Sequence, residues 1–342
     1  MMYYIESKSS DPCFNLALEQ YVFDSLSRSH SYFMLWQNDN AIIVGKHQNT
    51  VAEINEGYVR EHEIRVVRRL SGGGAVYHDM GNINFTFIVD KESGLFDFSK
   101  FCMPLVRALK SIGVEAEVNG RNDMTIDGRK FSGNSQYSKE GRTMHHGTVM
   151  YDSDLNTLEK ALNVSSDKIK SKGCRSVRSR VTNVRPYVKN DMETEQFFKI
   201  LRDYMFRENQ LVLYELTQKD LEAVERLKKE RYGTWHWNYG FSPKYAVEKK
   251  RRIEGCGSIE VHMNVEHGVI TDMVFFGDYF SDTDSSSLSE LLKGCRLCRP
   301  DLSERLKTVQ AGRYFHNLTN EQLLDILLQC KARKDFTFVI AF

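Results

Sequence analysis

Long apolar runs are missing from this sequence. Nothing in its 342 residues approaches the roughly 18 consecutive apolar positions that a membrane-spanning helix needs, so helical insertion into a bilayer is excluded. With 41% hydrophobic and 27% charged residues, the composition is that of a soluble globular protein. An excess of one sign of charge is missing too: the net charge is +1, which leaves no overall electrostatic footprint for nucleic acid and makes any anion site local. Cysteine is sparse and odd in number. Seven scattered cysteines argue against a disulfide framework and fit thiols kept reduced in a cytosol. Cys295 and Cys298 form one Cys-x-x-Cys, but a second pair at zinc-ligand spacing is lacking. Met1 to Ser7 lack the basic-then-apolar order of a secretory signal, so the cytoplasm is the expected location.

What is present is a chain long for one hydrophobic core, so two domains are expected. Tyr3 to Glu6 read as a strand, and Asp11-Pro12 as the start of a helix with apolar residues at helical spacing from Leu16 to Phe23. Tyr32–Trp36 and Ala41–Val44 are β-prone runs around the polar turn Gln37-Asn38-Asp39-Asn40, a hairpin by pattern. Helices are expected over Val51–His62 and Phe98–Ile112, and strands over Ile64–Val67, Asn82–Val89, Val114–Val118 and His145–Tyr151. Asp127-Gly128 between two strand-like halves is a strong hairpin signal. In its second half, alternation puts Lys130, Ser132 and Asn134 on one face and Phe131 on the other. Residues 192 to 230 are helical in pattern. Strand-like runs near Tyr245, Ser258–Val265 and Val269–Phe276 then precede helices around Leu288, Leu302 and Leu323. This shift in composition places a domain boundary near residue 240.

Three elements carry chemistry. The first is Arg68-Arg69-Leu70-Ser71-Gly72-Gly73-Gly74-Ala75-Val76-Tyr77-His78-Asp79. Successive glycines let backbone N–H groups face an anion with no Cβ in the way, and Arg69 offers a planar fork for phosphate oxygens. A flexible turn is the plain alternative, though a plain turn has no use for a positive rim. The spacing is neither a Walker loop nor a dinucleotide fingerprint. The second element is Lys130. If the face opposite Phe131 lines a cleft, its ammonium can hold an acid's carboxylate and a nucleotide α-phosphate together; otherwise it is a solvated surface lysine. Asn122 and Asp123 offer oxygen ligands for Mg²⁺, or equally cap the turn. The third is Lys168 to Arg185, with seven Lys or Arg and no acid, which is either a solvated linker or a lid over a polyanionic intermediate. His146 is open to three readings, as a ligand contact, a general base or a satisfied core histidine; we take it as lining a pocket.

Together and in order, these residues resemble the lipoate–protein ligase A family, whose fold is shared with biotin ligases. The similar stretches are Arg68 through Asp79, Gly120-Arg121-Asn122-Asp123, Arg129-Lys130-Phe131-Ser132-Gly133, His145-His146-Gly147-Thr148, and Lys172-Gly173 with Ser176 through Asn183. Trp235-His236-Trp237-Asn238-Tyr239-Gly240 also resembles the family's junction into a small C-terminal domain. The resemblance implies an α/β (α+β) fold: a mixed-sheet, biotin/lipoyl ligase-like catalytic domain over residues 1–240 and a smaller α/β accessory domain over 241–342 that moves during the reaction. It implies an ATP-dependent ligase that forms lipoyl-AMP with release of pyrophosphate. The lipoyl group then passes to a lysine of carrier domains, such as those of 2-oxoacid dehydrogenase acyltransferase subunits and the glycine cleavage carrier protein. ATP, Mg²⁺ and lipoate are the implied small molecules, with no nucleic acid or membrane partner.

By the same resemblance Lys130 is catalytic and touches both the lipoyl carboxylate and the phosphate. Arg69, Ser71, Gly72, Gly73, Gly74, Ala75, Val76, Tyr77, Ser132, His146, Arg178 and Arg180 bind ATP or lipoyl-AMP, and Asp123 is the candidate for magnesium. Leu16, Trp36, Val44 and Val76 are candidates for an apolar tunnel, although core packing accounts for each equally well. Two departures stand out. Leu70 sits where some relatives carry a third arginine, and the hairpin before Lys130 is shorter than in some members, which loosens the match of Asp123.

The nearest rival is a lipoyl or octanoyl transferase of the same fold that uses preformed lipoyl-AMP or a thioester. Thioester exchange commonly uses an activated cysteine, and the glycine, hairpin and His-His segments contain none; Cys174 in the basic segment is the nearest. The pattern of the glycine loop disfavours biotin ligase. Retention of Lys130 and the basic segment disfavours a carrier-binding or effector-sensing module without turnover.

Overall fold

The structure is a computed structural model and describes residues 1–90, 98–119, 122–163, 180–239 and 247–328. The chain divides into two compact units, Met1–Ser242 and Pro243–Phe342. Among the described residues no helix is long and apolar enough to cross a membrane.

Among the described residues eleven strands build the first unit: β1 (Met2–Glu6), β2 (Ser31–Trp36), β3 (Ala41–Val44), β4 (Arg65–Arg68), β5 (Val76–His78), β6 (Asn82–Asp90), β7 (Glu117–Asn119), β8 (Asp123–Ile126), β9 (Arg129–Lys139), β10 (Arg142–Met150) and β11 (Val212–Leu213). Eight of them form a mixed sheet in the order β11-β1-β2-β6-β10-β9-β8-β7, and β4-β3-β5 form a small second sheet. Four longer helices flank them: α1 (Pro12–Ser25), α2 (Phe98–Ser111), α3 (Thr194–Asn209) and α4 (Gln218–Leu227).

Period-2 alternation divides the large sheet into two faces. Phe33, Leu35, Ile83, Phe85 and Phe87 pack with Cys102, Leu105 and Leu109 of α2 and Phe197, Leu201 and Met205 of α3 in an all-apolar core. Tyr32, Met34, Trp36, Ile88 and Met144 turn the other way, toward Leu16, Leu18 and Val22 of α1, Val224 of α4 and Ile43 of the small sheet. Asp11 starts α1 as expected, its carboxylate accepting from the Cys13 amide at 3.0 Å with Pro12 in the first turn.

Three local expectations change. β2 and β3 do not form a hairpin, because β1 and β6 already occupy both edges of β2 and leave it no free edge for β3. The polar link is bound to α1 instead: the Asn15 side-chain amide donates to Gln37 O and Asn38 Oδ1. The expected helix over Val51–His62 is two short pieces, Thr50–Glu53 and Glu56–Glu61, with Asn55 restarting the second by accepting from the Tyr58 amide. The strand expected over Val114–Val118 narrows to β7. The Asp-Gly hairpin forms as read, with Asp127 and Gly128 at φ 50° and 72°, which suits the twist of the strands it joins.

In the second unit β12 (Val247–Ile253), β13 (Gly257–Glu266) and β14 (Val269–Gly277) make an antiparallel sheet. Ile259, Val261, Met273 and Phe275 pack against Leu288, Leu292, Leu302 and Leu323 of helices α5 (Ser285–Leu292), α6 (Arg299–Leu306) and α7 (Asn320–Leu328). Tyr245 lies outside the described residues. Cys295 and Cys298 are free thiols.

Candidate active site

β4 delivers two consecutive arginines to the glycine segment, and both are buried. Arg68 donates to the carbonyls of Gly45, Lys46, Gln48, Trp237 and Asn238 and to the Thr50 hydroxyl. Trp237 answers by donating its indole N–H to Arg68 O at 2.8 Å. The Trp-His-Trp-Asn segment is thereby locked onto the base of the loop. Burial alone draws the Arg68 guanidinium down to about 10.

Arg69 works from behind the loop. Its Nη2 donates to Gly72 O at 2.7 Å and Gly74 O at 2.8 Å, Nη1 to Ile43 O at 3.0 Å and Nε to Ser71 Oγ at 3.1 Å. Four of its five N–H donors are thus used inside the protein. Burial, opposed by the charge of Glu19, brings its pKa down to about 10. Ser135 adds a second bond to Gly72 O, at 2.8 Å. In a planar trans peptide the N–H points opposite the C=O. With the Gly72 and Gly74 carbonyls tied to Arg69, the amides of Gly73 and Ala75 therefore point away from it. Gly73 sits at φ 90°, open only to glycine at low cost, and a Cβ on Gly45 would lie 2.0 Å from Gly73 O. Arg69 thus braces the loop through its bonds to Gly72 O and Gly74 O while also lining the cleft.

Opposite the loop, β9 presents Lys130. Its Nζ lies 2.6 Å from Asp123 Oδ1, with the two side chains 33% and 19% exposed. The backbone at Lys130 is also engaged: its N–H donates to Arg180 O and its carbonyl accepts from Thr182 N, both at 2.9 Å. The far end of the basic segment is stitched to this lysine, while residues 164–179, including Arg178, lie outside the described residues. A bulge in β9 pairs Thr125 with Lys130 and Met124 with Ser132, so the expected shared face breaks. Ser132 is buried and accepts from Asn134, and Gly133 takes the place beside Lys130, where a Cβ would come within 2.9 Å of Nζ. Asp123, the candidate magnesium ligand, gives its carboxylate to Lys130. Among the described residues no three His, Cys, Asp or Glu side chains gather as a metal site. A magnesium ion carried by a nucleotide needs only one or two protein carboxylates beside its phosphate oxygens and waters, and Asp123 beside Lys130 would be the carboxylate to hold it.

β10 sends its two histidines to opposite faces. His145 stacks on Phe101 in the apolar core, with ring centroids 4.7 Å apart, and burial holds its pKa well below the usual value. His146 faces the loop, its Nε2 2.6 Å from Ser71 Oγ and its Nδ1 2.9 Å from Glu19 Oε1. On β5, Val76 and His78 face inward, while Tyr77 turns away into the cluster with Ile42 and Val44, its hydroxyl on Asn40. Only the backbone of Tyr77 is therefore left on the side of the loop, and Val44 joins the same outer cluster. Burial, with Arg69 and His146 adding to it, lowers His78 to about 3.

These elements enclose a cleft of about 620 Å³, open to solvent. Leu16, Trp36, Ile43 and Val76 give it an apolar side; Lys130, His146, Asn84 and Thr148 give it polar points; Gly73 to Ala75 form its rim. Ser71, Gly72, Tyr77 and Ser132 stand behind this lining. Sequence reasoning missed Glu19, although an acid inside the apolar stripe of α1, three residues from Leu16 and Val22, was a readable signal. His78 and Asn84 left no comparable mark.

Comparison with known proteins places this geometry. Residues 11–206 match the model of the lipoyl protein ligase A/B catalytic domain, and 242–327 that of the bacterial lipoate protein ligase C-terminus. The chain is 44% identical over 331 residues to the lipoate-protein ligase LplJ of Bacillus subtilis, covering 95% of this chain and 100% of that protein. Among solved structures, LipL1 of P. falciparum in complex with lipoate aligns with a TM-score of 0.77 at 25% identity, covering 96% of this chain and 98% of that one. A bipartite lipoate protein ligase from Thermoplasma acidophilum, determined with its E2 lipoyl domain, aligns with a TM-score of 0.62 at 25% identity, over 72% and 98% of the two chains. The two family models and the 44% identity over 95% of the chain lead to one conclusion: the chain belongs to the lipoate-protein ligase family.

Proposed function

We propose that the cleft binds lipoate and MgATP side by side, joins them as lipoyl-AMP and passes the lipoyl group to a lysine on a lipoyl carrier domain. The observation that carries this reading is Lys130 facing the glycine cradle across a cleft whose remaining wall is apolar. A lipoate carboxylate oxygen attacks the α-phosphorus, the bond to the bridging oxygen breaks, and pyrophosphate leaves. Magnesium enters with the nucleotide as part of the substrate.

Lys130 is the residue that bridges the carboxylate and the α-phosphate and offsets the charge that builds between them. The amides of Gly73 and Ala75 hold phosphate oxygens, with Arg69, Ser71 and Gly72 holding the loop from behind. Val76 and Trp36 flank the acyl chain, and His146 borders it. Arg178 and Arg180 contribute positive charge toward the adenylate. In the second step the carrier amine attacks the acyl carbon, the bond to AMP breaks, and the amine gives up a proton.

The lipoate bound by the P. falciparum relative and the E2 lipoyl domain that belongs to the Thermoplasma lipoylation system support the substrate and partner class. We take the carriers to be the acyltransferase subunits of 2-oxoacid dehydrogenases and the glycine cleavage carrier protein. We take the setting to be reducing and cytoplasmic, which suits the free thiols of Cys13, Cys295 and Cys298.

Pyrophosphate release from MgATP with lipoate, octanoate or biotin tests the reading. Lipoate-dependent release that collapses in Lys130→Ala is expected. Carrier lipoylation from synthetic lipoyl-AMP without any release would overturn adenylation and leave a transferase.

A further inference from the structure

Glu19 is a buried carboxylate, 2% exposed, that none of the roles above employs. It accepts from the Thr86 hydroxyl at 2.5 Å, and its two oxygens lie 2.9 and 3.1 Å from His146 Nδ1. Thr86 in turn accepts from the Trp36 indole N–H at 3.0 Å. Beyond His146 the series continues through Ser71 to Arg69.

The chemistry of the end groups sets the direction of every proton. Trp and Arg side chains only donate, and an ionised carboxylate only accepts. Thr86, accepting from Trp36, sends its own proton to Glu19. Ser71, accepting from Arg69 Nε, sends its proton to His146 Nε2, and His146 donates from Nδ1 to Glu19. With the Nδ1–H tautomer of His146 the bonds run in one direction from a guanidinium to a carboxylate, so each dipole reinforces the next. Ser71, His146 and Glu19 have the order of a nucleophilic triad, but Ser71 is 1% exposed and lies behind the lining of the cleft. The series is therefore built to hold the loop.

We propose that Glu19 is a positioning residue for adenylation. Through His146 and Ser71 it orients Arg69, and Arg69 holds the Gly72 and Gly74 carbonyls back so that the cradle amides face the nucleotide. This rests on the function proposed above.

The test is a double-mutant cycle on the full chain, with Glu19→Ala, Ser71→Ala and both together, read as lipoate-dependent pyrophosphate release at a temperature where melting curves show every variant folded. Each single change is expected to lower kcat/KM for MgATP by about 10- to 100-fold, as misplacement of a binding group does, while KM for lipoate moves by less than about 3-fold. The double variant should lose no more than the worse single one, because both break one series. Glu19→Gln, whose amide oxygen can still accept from His146, should recover most of the loss. Losses that multiply in the double variant, or a loss confined to KM for lipoate, would overturn the proposal and make Glu19 a wall of the acyl site. If Glu19→Ala does not fold, His146→Gln replaces it in the same cycle, with additivity again the overturning result. Absence of release by the native chain would sink the adenylation reading itself, before any substitution is compared.

Discussion

His145 and His146 are neighbours on one strand, and they live in different chemistries. His145 is enclosed among Phe85, Phe98 and Phe101, with Gln136 and Asn134 at its nitrogens. His146 sits in a bonded series from Glu19 to Arg69 and borders the cleft. The two faces of the sheet differ in the same way. The helix α2–α3 side is sealed by apolar packing, which is non-directional and tolerates small shifts. The α1 side is organised by directional bonds among buried polar groups, where each partner sets the orientation of the next. Both faces bury apolar side chains, and the α1 face adds the bonded series that borders the cleft.

Substitutions on the two faces should separate these contributions. Phe85→Ala, on the sealed face, is expected to cost about 3–5 kcal/mol in urea unfolding, while KM values of the folded enzyme at low temperature stay within about 2-fold. A large change in KM would mean that the faces are coupled. Lys130→Ala should do the reverse. Pyrophosphate release falls by about 100-fold or more, the scale of removing one charge-stabilising donor, with little change in melting because its ion pair is partly exposed.

Acid sharpens the contrast further. His78 takes up its proton near 6.5 when unfolded but only at about 3 when folded. The stability this lends is complete above the unfolded value and drains away as pH falls from about 6.5 toward 3, by about 1.4 kcal/mol per pH unit. Urea unfolding at pH 5 should show the native chain losing about 2 kcal/mol relative to pH 7 that His78→Gln does not lose; equal losses would place the acid response elsewhere. The smallest effect is expected at the start of α1. Asp11→Ala removes the cap of the helix that carries Leu16 and Glu19, for about 1 kcal/mol, and hydrogen exchange should report it first in α1.

Much of the site was legible in the linear order. The glycine loop, the Asp-Gly hairpin with Lys130 and the His-His strand could be read because each depends on backbone freedom or period-2 alternation, which are local. Where reading failed, a distant partner had intervened. Gln37 to Asn40 looked like a hairpin turn until β1 and β6 took both edges of β2. Ser132 looked like a cleft residue until the bulge in β9 turned it inward, and Tyr77 until the small sheet set its face.

Composition and turn chemistry marked out the glycine loop and the hairpin with Lys130, and the order of the motifs, through its resemblance to a known family, implied the α/β ligase fold. Only the tertiary structure decided what the charged groups do there. Arg69 braces the loop as well as lining the cleft, Asp123 pairs with Lys130, and Glu19 emerged from an apolar helix as the anchor of a polar series. The physical reason is that propensity acts over a few residues. A buried charge takes its role from whichever donors and acceptors the fold brings within about 3 Å of it.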